Sequence, residues 1–403
     1  MSITPSLDLR TGQSVWQHQR VRAVPHAPLR RDTSADVVVV GAGISGALLA
    51  ETLTAAGFDV LVLDRRGPVQ GSTLASTALL QYDIDTPLIH LARRLGWRDA
   101  VRIWRRSRLA LDALRERVRY LGIDADCVNR DSMYLDGNVL NAKALRREAV
   151  ARRRAGFEVA FLTPSDVSRR CGIQRRSAIL SFDHCEADPR RLAAGFLRAA
   201  TARGTRVAAP ADVVRVEPGK FRTRVTTATG QVVTTRYVVF ATGYEVPAYV
   251  PQRRHGVAST WVIATRPQPR ALWSERNLVW EASDPYLYVR TTRDGRILCG
   301  GEDEPFSDAP ARDALLLQKT RTLERRLHRL LPAVDARADY AWCGSFGASA
   351  NGTPSIGAVP RMPRCFAVLG FGGNGITFSA MASQMICTEM LGFTDPDRDL
   401  FAF

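Results

Sequence analysis

Residues 37–40 are four consecutive valines, an unbroken β-branched run suited to a strand buried on both faces. Behind it the period changes. Leu48, Leu49, Leu53 and Ala56 recur at helical spacing, and Gly57 stands where a helix C-cap is expected. Val60–Leu63 is a second short apolar run, so 35–64 predicts a strand–helix–strand unit on a parallel sheet. Further along, FRTRVTTATGQVVTTR alternates about Thr229-Gly230 as a β-meander does, and YVVFATGYEVP (237–247) opens as an apolar strand. Tyr286 to Arg290 alternates as a half-buried strand, and Asp294-Gly295 predicts a hairpin turn into Ile297–Cys299. The stretch 311–331 predicts a helix with Leu315, Leu316, Leu323 and Leu327 on one side. Near the end, Phe366–Leu369 predicts a strand and Ile376 onward a helix through Ala380, Met381 and Met385. The fold class is α/β, α+β taken over the whole chain.

Composition narrows the class. With 403 residues, 45% hydrophobic and 24% charged, the chain suits an ordinary globular protein of two or three lobes. The longest nearly apolar stretch, Val37 to Ala50, holds three glycines and is too short to predict a membrane span. The first thirty residues lack the apolar core of a secretory signal, so the expected location is the cytoplasm. Seven cysteines are scattered without a C-x-x-C pair, which argues against a disulfide framework or a zinc site; no metal is expected.

The net charge is +16, and almost all of the positive charge is arginine: the lysines are Lys143, Lys220 and Lys319. Such a charge would suit nucleic acid, anionic lipid or an acidic substrate. The densest basic stretch argues otherwise. In LARRLGWRDAVRIWRRSRLALDALRERVRY, Val101, Trp104, Leu111, Leu114, Val118 and Leu121 recur at helical spacing and leave the arginines on the outer face. No stacking aromatics interleave with them, so a nucleic-acid partner is not the expectation.

The chemistry lies in two glycine loops. Gly41, Gly43 and Gly46 join the first strand to its helix. Gly41 permits the tight turn, Gly43 the approach of a pyrophosphate, and Gly46 close packing of helix on strand. Asp64 ends the second strand, where a ribose diol would be bound; Arg65 and Arg66 follow and could meet a 2′-phosphate, which the retained Asp64 would repel. The unit predicts an adenine dinucleotide, NAD or FAD. The second loop, Gly370, Gly372 and Gly375, has a strand and a helix but no following strand: Asp395 is succeeded by Pro396. It is a helix N-terminus against which something bulky lies. A flavin pyrimidine ring, which gains negative charge on reduction, suits that positive helix end, and here FAD separates from NAD. The small residues Ala241, Thr242 and Gly243 give a third close approach.

These residues resemble the FAD-dependent amine and amino-acid oxidases of the D-amino-acid oxidase/glycine oxidase/sarcosine oxidase superfamily. The likeness runs over nearly the whole chain. It is carried by GSTLASTALLQ (71–81), EADPRRL (186–192), YLYVRTTRDGRILCGGE (286–302), WCGSFGASANGTPSIG (342–357) and GFGGNGITFS (370–379). The N-terminal stretch SVWQHQRVRAVPHAPLRRDTSADVVVVG resembles the branch that contains γ-glutamylputrescine oxidase. The resemblance implies a Rossmann-like FAD-binding domain that is discontinuous, over 30–92, 142–160, 187–246 and 338–403. It implies a second, mixed β-sheet substrate domain over 93–141, 161–186 and 247–337, with 1–29 as an N-terminal extension. It implies an FAD held non-covalently by Gly41, Gly43, Ile44, Ser45, Gly46, Asp64, Arg65, Ser72, Thr73, Ser76, Thr77, Ala78, Leu79, Val213, Ala241, Thr242, Gly243, Gly344, Gly372, Gly373, Asn374, Gly375, Ile376 and Thr377.

The implied reaction moves a hydride from the carbon beside an amine to flavin N5, and the imine is hydrolysed. No catalytic base is required if the amine binds neutral, which agrees with the lack of a Ser/His/Asp set. Relatives that take amino acids hold the carboxylate with an arginine or a lysine, at positions that here read Phe346 and Thr377. Arg290, on one strand face with Tyr286 and Tyr288, is the candidate substitute, the alternative being a structural ion pair. Tyr288 and Gln81 are the other candidate substrate contacts, and Tyr82 could reach the substrate or pack. Cys343 lies near the position of a covalent flavin attachment but reads as an inert thiol, and His184 as a structural histidine. No lysine lies between 220 and 319 to activate oxygen, so an acceptor other than oxygen is credible. Two alternatives remain: an FAD-dependent RNA-modifying enzyme, and a flavin-binding subunit of a multi-chain dehydrogenase. The motifs specify neither the substrate nor the oligomeric state.

Overall fold

In a computed structural model, which describes residues 2–252 and 254–403, the chain builds two sheets. The first runs Ser355–Ala358, Cys365–Leu369, Val232–Phe240, Thr33–Val40, Val60–Leu63 and Arg206–Ala208 in spatial order. All but the first of these strands run parallel. The valines explain why: Val37 and Val39 join the core on one face, Val38 and Val40 the core on the other. Both faces are therefore covered, as a parallel sheet requires. The predicted meander is present, with Val213–Pro218 and Thr223–Thr227 leading back to Val232–Phe240.

Helix Ile44–Ala55 is apolar nearly all round because it is buried between helices Pro189–Thr201 and Gly375–Met390. Two hydroxyl pairs tie it to the latter, Ser45 to Ser379 at 2.8 Å and Thr52 to Ser383 at 3.2 Å. The two ends of the chain thereby meet.

The second sheet has ten strands. In order they are Arg10–Gly12, Ala338–Ser349, His255–Thr265, Ile297–Glu304, Leu287–Thr291, Leu278–Glu281, Val128–Leu135, Ala178–Glu186 and Leu79–Leu80, with Val159–Leu162 paired to Ala178–Glu186. Sheet membership cuts across the expected domain boundaries. Ala338–Ser349 pairs with His255–Thr265 along nearly its whole length, so it belongs to this sheet, while residues 355–390 belong with the first. Leu79–Leu80 and Val159–Leu162 cross over for the same reason: their backbone partners lie here. Within the N-terminal extension 1–29, Arg10–Gly12 forms an edge strand on Ala338–Ser349.

The predicted helix at 311–331 forms as two pieces, Ala309–Ala314 and Leu316–Leu330. The basic helix spans Trp97–Tyr120, and its apolar positions Val101, Trp104, Leu111, Leu114 and Val118 are buried. Its arginines meet carboxylates: Arg102 faces Asp99, Asp397 and Asp399, Arg106 faces Asp395, and Arg108 faces Asp112 and Asp183. Much of the high charge on this helix is therefore locally neutralised. Among the described residues no helix is long and apolar enough to cross a membrane.

Candidate active site

Gly41 and Gly46 interlock. Gly41 has φ +113°, and a Cβ there would stand 2.4 Å from the Ala241 carbonyl oxygen; a Cβ on Gly46 would stand 1.8 Å from the Gly41 carbonyl oxygen. Strand, turn and helix can come this close only without side chains. The helix that follows has Gly43 at its N-cap and no side chain capping it. Ile44 N–H donates to the Thr73 hydroxyl at 3.0 Å. At the other end of the chain, helix Gly375–Met390 starts at Asn374, again without a side-chain cap. The Asn374 amide is turned away, donating to the carbonyls of Gln81 and Asp83 at 2.9 Å each.

Both uncapped helix ends open into one cleft of about 1740 Å³, its mouth included. Unsatisfied N–H groups and the positive end of each helix make such openings suited to anionic or electron-rich groups. Of the predicted cofactor contacts, all but Gly46, Gly344 and Thr377 border this cleft. Gly46 sits behind Gly41. Gly344 faces Ala75, where a Cβ would come within 2.9 Å, and pairs with Arg10. Thr377 is buried and donates its hydroxyl to the Gln81 carbonyl at 2.9 Å.

One end of the cleft is polar. Asp64 accepts from Ala42 N–H at 2.7 Å and from Arg66 and Gly67 N–H at 2.8 Å each, which fixes its carboxylate at the strand tip. Arg65 and Arg66 both pair with Glu245 and are drawn away from any 2′-phosphate. Hydrogen bonds to Arg66 and Arg65, then to Leu7 N–H, hold the Glu245 carboxyl below its usual range against the opposing effect of burial. Ile3, Thr4 and Leu9 line this end. The N-terminal segment is thus a strap over the cleft, pinned by Ser2 on Asp212 (2.9 Å), Ile3 N–H on the Val213 carbonyl (3.0 Å) and Leu7 N–H on Glu245 (2.7 Å).

The other end is aromatic. Tyr244, Trp280, Tyr286, Tyr288, Phe346 and Phe371 border it, with Gln81, Thr260 and Asp85. Gln81 donates to the Ser132 hydroxyl at 2.6 Å, which also accepts from the Trp280 indole at 3.1 Å. Burial lifts the Tyr244 hydroxyl to about 12, and it raises those of Tyr286 and Tyr288 as well, so all three remain neutral donors.

Arg290 is not at this end. Its guanidinium donates to the Ala187 carbonyl at 2.9 Å, lies 3.6 Å from Glu186 and packs on Trp16, wholly buried. Sharing a strand face with Tyr288 did not bring it to the cleft, because the cleft ends at the tyrosines; the structural ion pair is what forms. Tyr82 and His184 stack on each other at 4.3 Å inside the protein and do not border the cleft. Cys343 lies outside the cleft lining against Asp313, its thiol pushed up to about 11 by burial. Lys319 is held by the Glu302 carbonyl and the Glu304 carboxylate, away from the cleft.

Four features escaped the sequence reading: the strap, Glu245, Thr260 and Asp85. Asp85 carried a signal, being the second acid of QYDIDTP just before a helix. The strap and Thr260 carried none, since only tertiary pairing brings them here.

A parallel sheet whose first glycine turn opens on the same cleft as the N-terminus of helix Gly375–Met390 fits an FAD-binding fold. The family model for FAD dependent oxidoreductases, DAO, matches residues 36–388, and this chain belongs to that family. Gamma-glutamylputrescine oxidoreductase from Escherichia coli is 25% identical over 392 residues, covering 94% of this chain and 88% of that protein. Among solved structures, L-proline dehydrogenase from P. horikoshii is similar with a TM-score of 0.77 and 17% identity, covering 93% of this chain and 97% of that one. Glycine oxidase from Geobacillus kaustophilus is similar with a TM-score of 0.72 and 20% identity, covering 90% of this chain and 96% of that one. FAD is the cofactor.

Proposed function

We propose that this enzyme oxidises a C–N bond of a small amine or amino-acid derivative. The observation that carries the reading is the shape of the cleft: two helix N-termini share it, and it ends in an aromatic chamber. FAD, when bound, accepts a hydride from the carbon beside the amine, leaving an imine that water hydrolyses to a carbonyl compound. Gly41, Gly43 and Ser45 would hold the pyrophosphate at the first helix end and Asp64 the ribose, beside the N-terminal strap. Ser72 to Leu79 would wrap the ring system, and the positive end of helix Gly375–Met390 would face the part that becomes electron-rich, Gly373 N–H being taken by Asp85. The aromatic walls would limit water around the reacting carbon, and Gln81 and Tyr288 would orient the substrate. The relatives named above act on a putrescine derivative, proline and glycine, all substrates with a C–N bond beside an oxidisable carbon.

Mass spectrometry of the released cofactor, followed by trapping of the carbonyl product after incubation with amines, tests the reading. FAD in equal amount to protein and one carbonyl formed per amine consumed are expected. A protein that binds no FAD, or one that turns over without releasing a carbonyl, would contradict it.

A further inference from the structure

The aromatic end of the cleft carries charge of one sign. Arg65 and Arg66 are the cationic side chains on the cleft lining, and both are engaged by Glu245 at the opposite end. At the aromatic end stands Asp85. It is exposed, and it borders the open cleft. Its Oδ2 accepts from Gly373 N–H at 2.8 Å, and a Cβ on Gly373 would come within 2.6 Å of its Oδ1. The glycine loop is shaped to seat this carboxylate.

Two further carboxylates reinforce it. Asp83 borders the cleft, is 2% exposed, and accepts through Oδ2 from Arg152 at 3.0 Å and Ser181 at 3.1 Å. Its Oδ1 has no hydrogen-bond partner among the described residues. Arg152 must also serve Glu148, at 2.9 Å, so this buried group carries one negative charge in excess. Asp303 lies behind the Tyr286 and Thr260 hydroxyls, which border the cleft, and its Oδ1 is likewise buried and unpartnered. Low-dielectric surroundings make unbalanced charge costly, and a bound cation removes that cost.

The geometry points to a substrate that carries a second positive charge and no carboxylate near its reacting amine, with Asp85 binding that second charge. The inference rests on the amine-oxidising reading and refines its substrate class. An α-amino acid would bring its carboxylate toward Asp85 with no cation to meet it, whereas the distal ammonium or guanidinium of a diamine derivative would replace the missing balance. Phe346 and Thr377, apolar and engaged respectively, offer a carboxylate nothing.

The test uses the FAD-loaded protein under anaerobic conditions and three probes of nearly equal length: diaminobutane, pentylamine and aminobutyrate, with their one-carbon-longer homologues. Affinity is read by calorimetry and by perturbation of the flavin bands, neither of which needs turnover. Diamines are expected to bind at least about tenfold more tightly than the alkylamines, the worth of one charge-assisted contact, and the amino acids not measurably. Asp85→Asn is expected to lower diamine affinity about tenfold, to the alkylamine level, with FAD content unchanged. Alkylamine or aminobutyrate binding as tightly as the diamine would overturn the inference without reference to any variant. So would an Asp85→Asn protein that keeps the preference. If carboxylate-bearing amines alone reduce the flavin, amine oxidation stands and the charge assignment fails; if no amine reduces it, the failure lies with the reaction itself.

Discussion

Arg66 and Glu245 meet edge to edge, with Nη1 to Oε2 at 2.7 Å and Nη2 to Oε1 at 2.6 Å. The same carboxylate accepts from Leu7 N–H, and Arg66 donates to the Leu7 carbonyl at 3.1 Å, so the pair anchors the N-terminal strap. Glu245→Ala leaves two arginines facing each other and frees the strap. FAD is expected to dissociate about tenfold faster on dilution, read from the recovery of free-flavin fluorescence, with a stability loss of roughly 1–3 kcal/mol for the broken charged hydrogen bonds. Removal of residues 2–9 should reproduce the faster release.

Gly46→Ala would force a Cβ to 1.8 Å from backbone, which no side-chain adjustment can relieve. The expected cost is at or above the upper end of the roughly 1–3 kcal/mol typical of overpacking, together with loss of bound FAD. Gly57→Ala is the informative comparison: nothing lies within 4 Å of its Cβ, but φ is +91°. It should lose only about 1 kcal/mol and keep its FAD. Urea unfolding and the flavin content of the purified variants check both.

Arg152 is buried between Asp83 and Glu148, with its guanidinium 4.6 Å from the Trp104 ring centroid. Arg152→Met strands two carboxylates, one of them bordering the cleft. A loss of about 3–5 kcal/mol is expected by chemical denaturation, the usual result of removing one partner from a buried charged group.

His184 predicts a pH dependence of stability. Burial holds its ring down to about 4, with Asp83 and Asp183 opposing and Arg108 and Arg152 adding to the depression. The folded value lies below the unfolded one, so as pH falls the unfolded chain takes up the proton first. Stability is therefore full above about 6.5 and is lost as pH falls toward about 4, by an amount on the order of a few kcal/mol. Neither ring nitrogen has a hydrogen-bond partner among the described residues. His184→Phe keeps the stack on Tyr82 and removes the proton site, so thermal melts of the variant should lose less stability than the parent between pH 7 and about 5.

Elements with strong local pattern were legible in the sequence. The valine run, both glycine loops, the meander at Thr229-Gly230 and the hairpin at Asp294-Gly295 each express a local backbone requirement, and each lies where the pattern put it. Strand ownership was not legible. Ala338–Ser349 reads alike whichever sheet it joins, and only its pairing with His255–Thr265 decides. Arg290 shows the same limit at a side chain. Alternation placed it on one face with Tyr288, but where that face leaves the cleft and meets Glu186 is a tertiary fact. Asp85 lies in a stretch whose meaning depends on Gly373, nearly three hundred residues away.

The central claim is that one FAD bridges the two glycine loops and takes electrons from an amine. The most direct measurement is the visible spectrum of the purified protein under anaerobic conditions, before and after addition of a panel of amines that includes the diamines above. The account predicts an oxidised flavin spectrum that bleaches on amine addition. A protein that cannot be loaded with FAD, or a flavin that stays oxidised with every amine while a chemical reductant still bleaches it, would contradict the account.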